Sequence, residues 1–348
     1  MKRKVAVILS LTMVISLLFC GIGFAEEAEV DEFGYPLNPT EHYELTLGTI
    51  NQGVTPAGML YDLLKQEIEE RSHGAITLSI FDGGTLGTEQ EMAESVLLGS
   101  LDIGQINAAM LTNYIDNANI LTLPYLFSDR EQVKAVCDEF FDEILEGCEE
   151  AIGLPVDITE QGWRMFTNTK RTVAKLEDFA GLTVRVQDGQ IYFDTFNALG
   201  CIPTSIAMGE LVTAMQQGVC DAHENPLATN VNLSMYEFAK YITLTRHLFG
   251  TNITVLSAEV KNKLPEMYYD LLMQIFDEYR YYSFNLGEEL KNSFIETLTE
   301  KGVEITILED SELARIRETV APVWENFDNQ DLLERILAFE EEYSASAE

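Results

Sequence analysis

Few residues in this chain are suited to chemistry. Asp221, Ala222, His223 and Glu224 set an imidazole beside a carboxylate, the material of a general acid/base pair. The plainer reading, which we prefer, is a strand end running into a loop that lines a cleft. The other histidines, His42, His73 and His247, are scattered and share no zinc-type spacing with the cysteines, so no metal is expected. Cys137 and Cys148 fall in one helical-looking stretch, eleven residues and about 16 Å apart along its axis, too far to bridge. Cys201 and Cys220 each stand at the end of a short strand and could bridge if those strands are neighbours; otherwise both are thiols. No glycine-rich dinucleotide fingerprint, P-loop, HExxH or nucleophile elbow occurs, so neither catalysis nor a cofactor is expected.

Charge narrows the partners. The 348 residues carry 58 acidic against 22 basic side chains, a formal charge of -36, and no basic cluster follows the first few residues. Such a field repels nucleic acid and anionic lipid. A bound anion would have to be held by a few local cations.

The first 25 residues read as a secretory signal peptide: Lys2, Arg3 and Lys4, then the apolar run Val5–Phe19, then Gly23, Phe24 and Ala25 before Glu26. Residues 1–25 would be removed, placing the protein in the periplasm or on the extracellular face. Lipidation at Cys20 is the lesser alternative, because bulky Phe19 stands where a small residue normally precedes a lipidated cysteine.

Positioning these residues requires an α/β framework. Tyr43, Leu45 and Leu47 alternate as a strand, Pro56 opens a helix through Leu60, Leu64 and Ile68, and Ile76–Ile80, Glu89–Leu98 and Leu101–Ile106 continue the alternation. A second module repeats it: strands at Thr183–Val186, Ile202–Ser205 and Val219–Ala222, with helices at Tyr192–Leu199 and Glu210–Gln217. Thr251–Leu256 reads as a strand returning to the first unit. Pro265–Lys301 reads as one helix bent at Gly287, up to about 55 Å long, able to cross both units. Residues 344–348 form a polar tail.

From Gly162 to His247 the chain resembles the solute-binding proteins of tripartite ATP-independent periplasmic (TRAP) transporters, the dicarboxylate-receptor (DctP) family. The likeness is carried by Gly162-Trp163-Arg164, Thr167–Arg171, Asp178–Val186, Ala198–Thr204, Gly209-Glu210-Leu211, Gln217–Asp221, Glu224-Asn225-Pro226 and Leu244–His247. Gly84–Gly87, Leu98–Asp102 and Leu123–Phe127 extend it over nearly the whole mature chain. The resemblance implies a two-domain periplasmic-binding-protein-like α/β fold with a ligand cleft between domains and a long bracing helix. Its units would be residues 26–161 plus 251–288 and residues 162–250 plus 289–343.

The same resemblance implies a monomeric binder, not an enzyme, that takes an organic acid by hinge closure and delivers it to TRAP membrane permease subunits. Arg185 matches the family arginine that holds the ligand carboxylate, a role its planar fork suits. Arg164 matches a second basic position, with a salt bridge inside the second domain as its alternative. Asn225, Glu89 and Asn107 match further ligand-facing positions, and Met208 replaces a frequent aromatic. Ala222 and His223 stand where the family usually has Gly and Gln, so the ligand itself does not carry over. With no obvious first-domain cation, a sugar acid suits better than a C4-dicarboxylate. Two alternatives remain: a secreted α/β hydrolase or lyase using His223 and Glu224, and an extracellular ligand-sensing binding protein.

Overall fold

The computed structural model describes residues 29–347; the expected signal peptide and Cys20 lie outside the described residues. The nine strands are β1 (Tyr43–Gly48), β2 (Ile76–Phe81), β3 (Ile103–Asn107), β4 (Leu154–Asn168), β5 (Thr183–Val186), β6 (Ile202–Ser205), β7 (Ala222–Pro226), β8 (Tyr241–Leu256) and β9 (Glu304–Thr306). They form one sheet in the order β2-β1-β3-β8-β4-β7-β5-β6, with β9 beside β8. At either end lies a parallel trio, β2-β1-β3 and β7-β5-β6. Between them β4 and β8 run antiparallel to each other and to β7 and β3, while β9 pairs with β8 in parallel.

The longer helices are α1 (Pro56–Arg71), α2 (Glu89–Leu97), α3 (Arg130–Glu139), α4 (Gln190–Ala198), α5 (Leu211–Gln216), α6 (Leu227–Asn232), α7 (Glu266–Glu278), α8 (Tyr282–Glu300), α9 (Asp310–Val320) and α10 (Gln330–Ala347). The local chemistry explains their starts. Thr55 caps α1 by accepting from the Gly58 amide, Pro56 occupies the first turn, and Leu60, Leu64 and Ile68 bury one face. Thr88 and Glu91 form a reciprocal capping box at the head of α2, whose Met92, Ala93 and Val96 face inward. The expected alternation of strands and helices is present in both units, although β7 begins at Ala222, three residues later than expected; Val219 is 56% exposed.

β4 and β8 join the units. They are 15 and 16 residues long, so Thr251–Leu256 is only the second part of β8. Their register shifts at three places, and between two of these shifts Gly162 pairs with Gly250. Gly162 has φ 104°, a conformation that a side chain would strain.

The single bent helix expected over Pro265–Lys301 is instead two helices, α7 and α8, interrupted at Tyr279–Tyr281. The cause is tertiary. Leu271, Leu272 and Ile275 of α7 pack with Leu60 and Leu64, whereas Phe284 of α8 turns into a separate cluster with Phe249 and Ile253. Gly287 lies within α8, not at a bend; a Cβ there would stand 1.8 Å from Glu160 Oε1. α8 spans about 28 Å and ends with Leu298 against Leu227, Ile242 and Val303, so of these two helices it is α8 that reaches the second unit.

The helical-looking stretch holding Cys137 and Cys148 is also divided, into α3 and two single turns, with Gly147 at φ 81° between the latter. All four cysteines among the described residues are free and buried. Cys201 and Cys220 do not bridge: β5 lies between β6 and β7, so the strands they precede are not neighbours. α10, expected with the second unit, packs against the first: Leu332, Leu333 and Ile336 share a cluster with Val133 and Val136. No helix among the described residues is long and apolar enough to cross a membrane.

Candidate functional site

A cleft of about 570 Å³ opens between the two parallel trios. The first unit contributes Ile50, Gln52, Glu89 and Met110; the second contributes Arg185, Gln187 and the segment from Ser205 to Glu210, including Met208. Three of the expected site residues, Arg185, Glu89 and Met208, therefore line one cavity.

Arg185 stands in the interior of β5, between Thr204 of β6 and His223 of β7. It is 3% exposed. Its Nε donates to the Ile206 carbonyl at 2.7 Å, while Nη1 is buried with no hydrogen-bond partner. Burial lowers its pKa to about 10, with Glu224 and Glu89 opposing that shift and Arg164 adding to it. The guanidinium stays charged at neutral pH, a buried cation with one donor unspent.

Arg164 is used differently. Its Nη2 donates to Glu224 Oε1 and Asn225 Oδ1, both at 2.8 Å, and its Nη1 to Gln161 Oε1 at 2.8 Å. Burial alone would raise the Glu224 pKa, but Arg164 and His247 outweigh it and hold it near 2. Asn225 is likewise committed, its Nδ2 lying 3.0 Å from His223 Nδ1. Asn107 caps its own short turn, accepting from the Ala109 amide at 2.9 Å and donating to the Thr251 carbonyl and Asn252 Oδ1 at 3.2 Å. Arg164, Asn225 and Asn107 thus form a buried layer behind the cleft wall, and the salt-bridge alternative for Arg164 is the arrangement present.

Glu89 joins that layer to the cleft. It begins α2, and its Oε1 accepts from the Asn107 amide at 2.7 Å. Burial raises its pKa to about 7, against the Asn107 N–H, Arg185 and Arg164, which lower it.

Gln187 was not expected from sequence. With its amide turned to satisfy both ends, it donates to Asn107 Oδ1 at 3.0 Å and accepts from Tyr192, linking the units across the cleft floor. The signal was its spacing: two residues after Arg185, it shares that residue's face by strand alternation.

His223 and Glu224 do not form a catalytic pair. As neighbours on β7 they project to opposite faces: His223 sides with Asn225, and Glu224 faces Arg164 and His247. Burial, then the Arg185 charge, push the His223 pKa down to about 3, leaving a neutral imidazole.

These features match a known group. Residues 47–331 fit the family model DctP, bacterial extracellular solute-binding protein, family 7. The chain belongs to the DctP family. It is 26% identical over 284 residues to a solute-binding protein of Verminephrobacter eiseniae, covering 78% of this chain and 81% of that protein. It is also 26% identical to the 2,3-diketo-L-gulonate-binding periplasmic protein YiaO of Escherichia coli K12, covering 78% and 79% of the two chains. The crystal structure of a TRAP periplasmic solute-binding protein from Polaromonas sp. JS666, bound to D-erythronate, is similar at 28% identity with a TM-score of 0.79. That likeness covers 86% of this chain and 98% of the Polaromonas chain. This DctP protein is thus a bacterial extracellular solute-binding protein of family 7.

Proposed function

We propose that this protein captures a hydroxylated monocarboxylate of the sugar-acid class, without chemical change, for a TRAP permease. The unpartnered Nη1 of Arg185 carries the reading: a buried guanidinium that lines the cleft and has a donor to spare is a seat for a carboxylate. From the first unit, among the described residues, only neutral and acidic side chains line the cleft, including Gln52, Glu89 and Gln90. These groups suit hydroxyls and offer a second carboxylate no counter-charge. D-erythronate in the Polaromonas protein and the ligand in the name of YiaO are both acids of this kind.

Arg164, Asn225 and Asn107 serve this site by holding its wall, and Met208 by shaping its apolar side. The opposed directions of His223 and Glu224 support binding without catalysis. Closure swings the first unit, residues 29–161 and 251–288 with α10, against the second, residues 162–250 and 289–320, about the crossing of β4 and β8. The glycine pair Gly162 and Gly250 supports a pivot there. The protein works as a monomer outside the cytoplasm, led there by residues 1–25.

A thermal-shift series with D-erythronate, galactonate and succinate tests the substrate class. A ligand at a hundredfold its dissociation constant adds about 2.7 kcal/mol. Stabilisation by the sugar acids and not by succinate is expected; the reverse order would reject the sugar-acid class.

A further inference from the structure

A second cavity, of about 470 Å³, lies under α8, where that helix crosses β4, β7 and β8, and shares no lining residue with the cleft. One face of it is apolar, built from Trp163, Met165, Leu227, Leu244, Phe294 and Ile295. Three cations, Arg130, Lys291 and Arg246, and three carboxylates, Asp129, Glu160 and Glu288, also line it; the Arg246 guanidinium carbon stands 4.6 Å from the centre of the Trp163 ring.

Arg246 is held there by an irregular backbone. The pairing of β4 with β8 jumps from Arg164↔Leu248 to Phe166↔Thr243, so Leu244–His247 bulge out of register. Within the bulge Arg246 adopts φ 45°, a left-handed conformation that costs a non-glycine residue energy. The bulge sets this exposed charged side chain on the rim of the cavity, beside its apolar face.

Arg246 is exposed, and the other cations around the cavity are paired with carboxylates. Arg130 grips Glu160 through Nε and Nη2 at 2.6 and 2.7 Å. Glu288 is taken by Arg130 and Lys291. Among the described residues no carboxylate hydrogen-bonds or ion-pairs with Arg246, although the chain has 58 acidic side chains to supply one. Partial burial, then the Arg130 charge, lower the Arg246 pKa, with Arg317 adding to the shift and Glu288 and Asp129 opposing it.

We propose that this cavity is a second binding site, for an amphipathic organic anion. A ring or short acyl body would lie against Trp163, Leu244 and Phe294, and its carboxylate would take the free edge of the Arg246 guanidinium. The volume is within the range of small-molecule pockets, and an apolar face beside a cation that no carboxylate holds suits an anion with an apolar body. Because the wall draws on both crossing strands and on α8, an occupant would touch the elements that join the two units.

The probe is 2-naphthoate, titrated calorimetrically into the purified protein and into Arg246→Gly, Arg246→Asn and Arg185→Met. Glycine and asparagine tolerate the left-handed backbone, so these variants remove the cation without adding strain. Saturable binding is expected in the parent protein, weakened about tenfold in both Arg246 variants and unchanged in Arg185→Met. Three outcomes would overturn the proposal: no saturable binding to the parent protein, equal affinity in the folded Arg246 variants, or loss of binding in Arg185→Met, which would place the probe in the cleft.

Discussion

Arg164 and Glu224 form an ion pair closed to water on both sides, the arginine side chain 1% and the glutamate 0% exposed. Glu224 reaches this pairing from β7, and Arg164 from β4, across strands that neighbour each other in the sheet. The pair fixes the floor beneath the cleft and spends the charge of one of its two arginines. Arg185, one strand further along, keeps its charge for a ligand.

Removing one member of the pair leaves the other buried and uncompensated. Arg164→Leu should therefore destabilise the protein by about 3–5 kcal/mol, read from urea denaturation midpoints. A change below about 1 kcal/mol would mean that Glu224 finds water or another cation.

The same pair sets acid sensitivity. The Glu224 pKa is depressed in the folded state, from 4.5 to about 2. Its contribution to stability is thus fully present above the unfolded value and is lost as pH falls from 4.5 towards 2. In Arg164→Leu the acid-induced loss over that window should shrink, since the cation that depresses the pKa is gone. Parallel stability–pH curves for the two proteins would contradict this.

Glu89 predicts an opposite trend for binding. Its pKa is raised to about 7, so near neutrality it carries a proton part of the time. A ligand carboxylate on Arg185 raises that pKa further, so binding takes up a proton and affinity for an organic acid should increase as pH falls from about 8 to about 6. Glu89→Gln should flatten the dependence when dissociation constants are measured across that range. An equally steep profile in the variant would assign the proton elsewhere.

Gly287 gives a test in which two effects have opposite signs. Glycine to alanine within a helix ordinarily stabilises by about 1 kcal/mol. Here the new Cβ would stand 1.8 Å from Glu160 Oε1, and Arg130 holds that carboxylate in a two-point grip. Overpacking should win, and Gly287→Ala should lower stability by about 1–3 kcal/mol, measured as a shift in the thermal midpoint. A stabilised variant would show that Glu160 can move aside.

The parts of the fold that sequence revealed are those with a local cause. The capped, amphipathic α1 and the buried strands β1 and β5 advertise themselves through residues three, four or two apart. The crossing strands do not. β4 carries Asp157, Glu160, Gln161 and Arg164 in an otherwise buried run, and their partners include Arg130, Ser283 and Glu224, far away in sequence. The break between α7 and α8 was hidden because Tyr279, Tyr281 and Tyr282 sustain the apolar period through it, and only the two cores they face require a turn.

The site divides in the same way. Arg185, Glu89 and Met208 were legible as a set through the family resemblance, and they line one cleft. Which arginine was free was not legible, because Glu224 lies 60 residues from Arg164 in the chain and next to it in the sheet.

The central claim is that Arg185 holds the ligand carboxylate, and Arg185→Met tests it most directly. Methionine keeps the apolar stem and removes a guanidinium that, among the described residues, has only the Ile206 carbonyl as a hydrogen-bond partner, so the unliganded protein should be as stable as the parent or more so. Calorimetric titration with the best sugar acid from the thermal-shift series should show affinity reduced at least about a hundredfold, the scale of a buried charge-assisted contact worth about 2–5 kcal/mol. Undiminished affinity in a folded Arg185→Met protein would contradict the account.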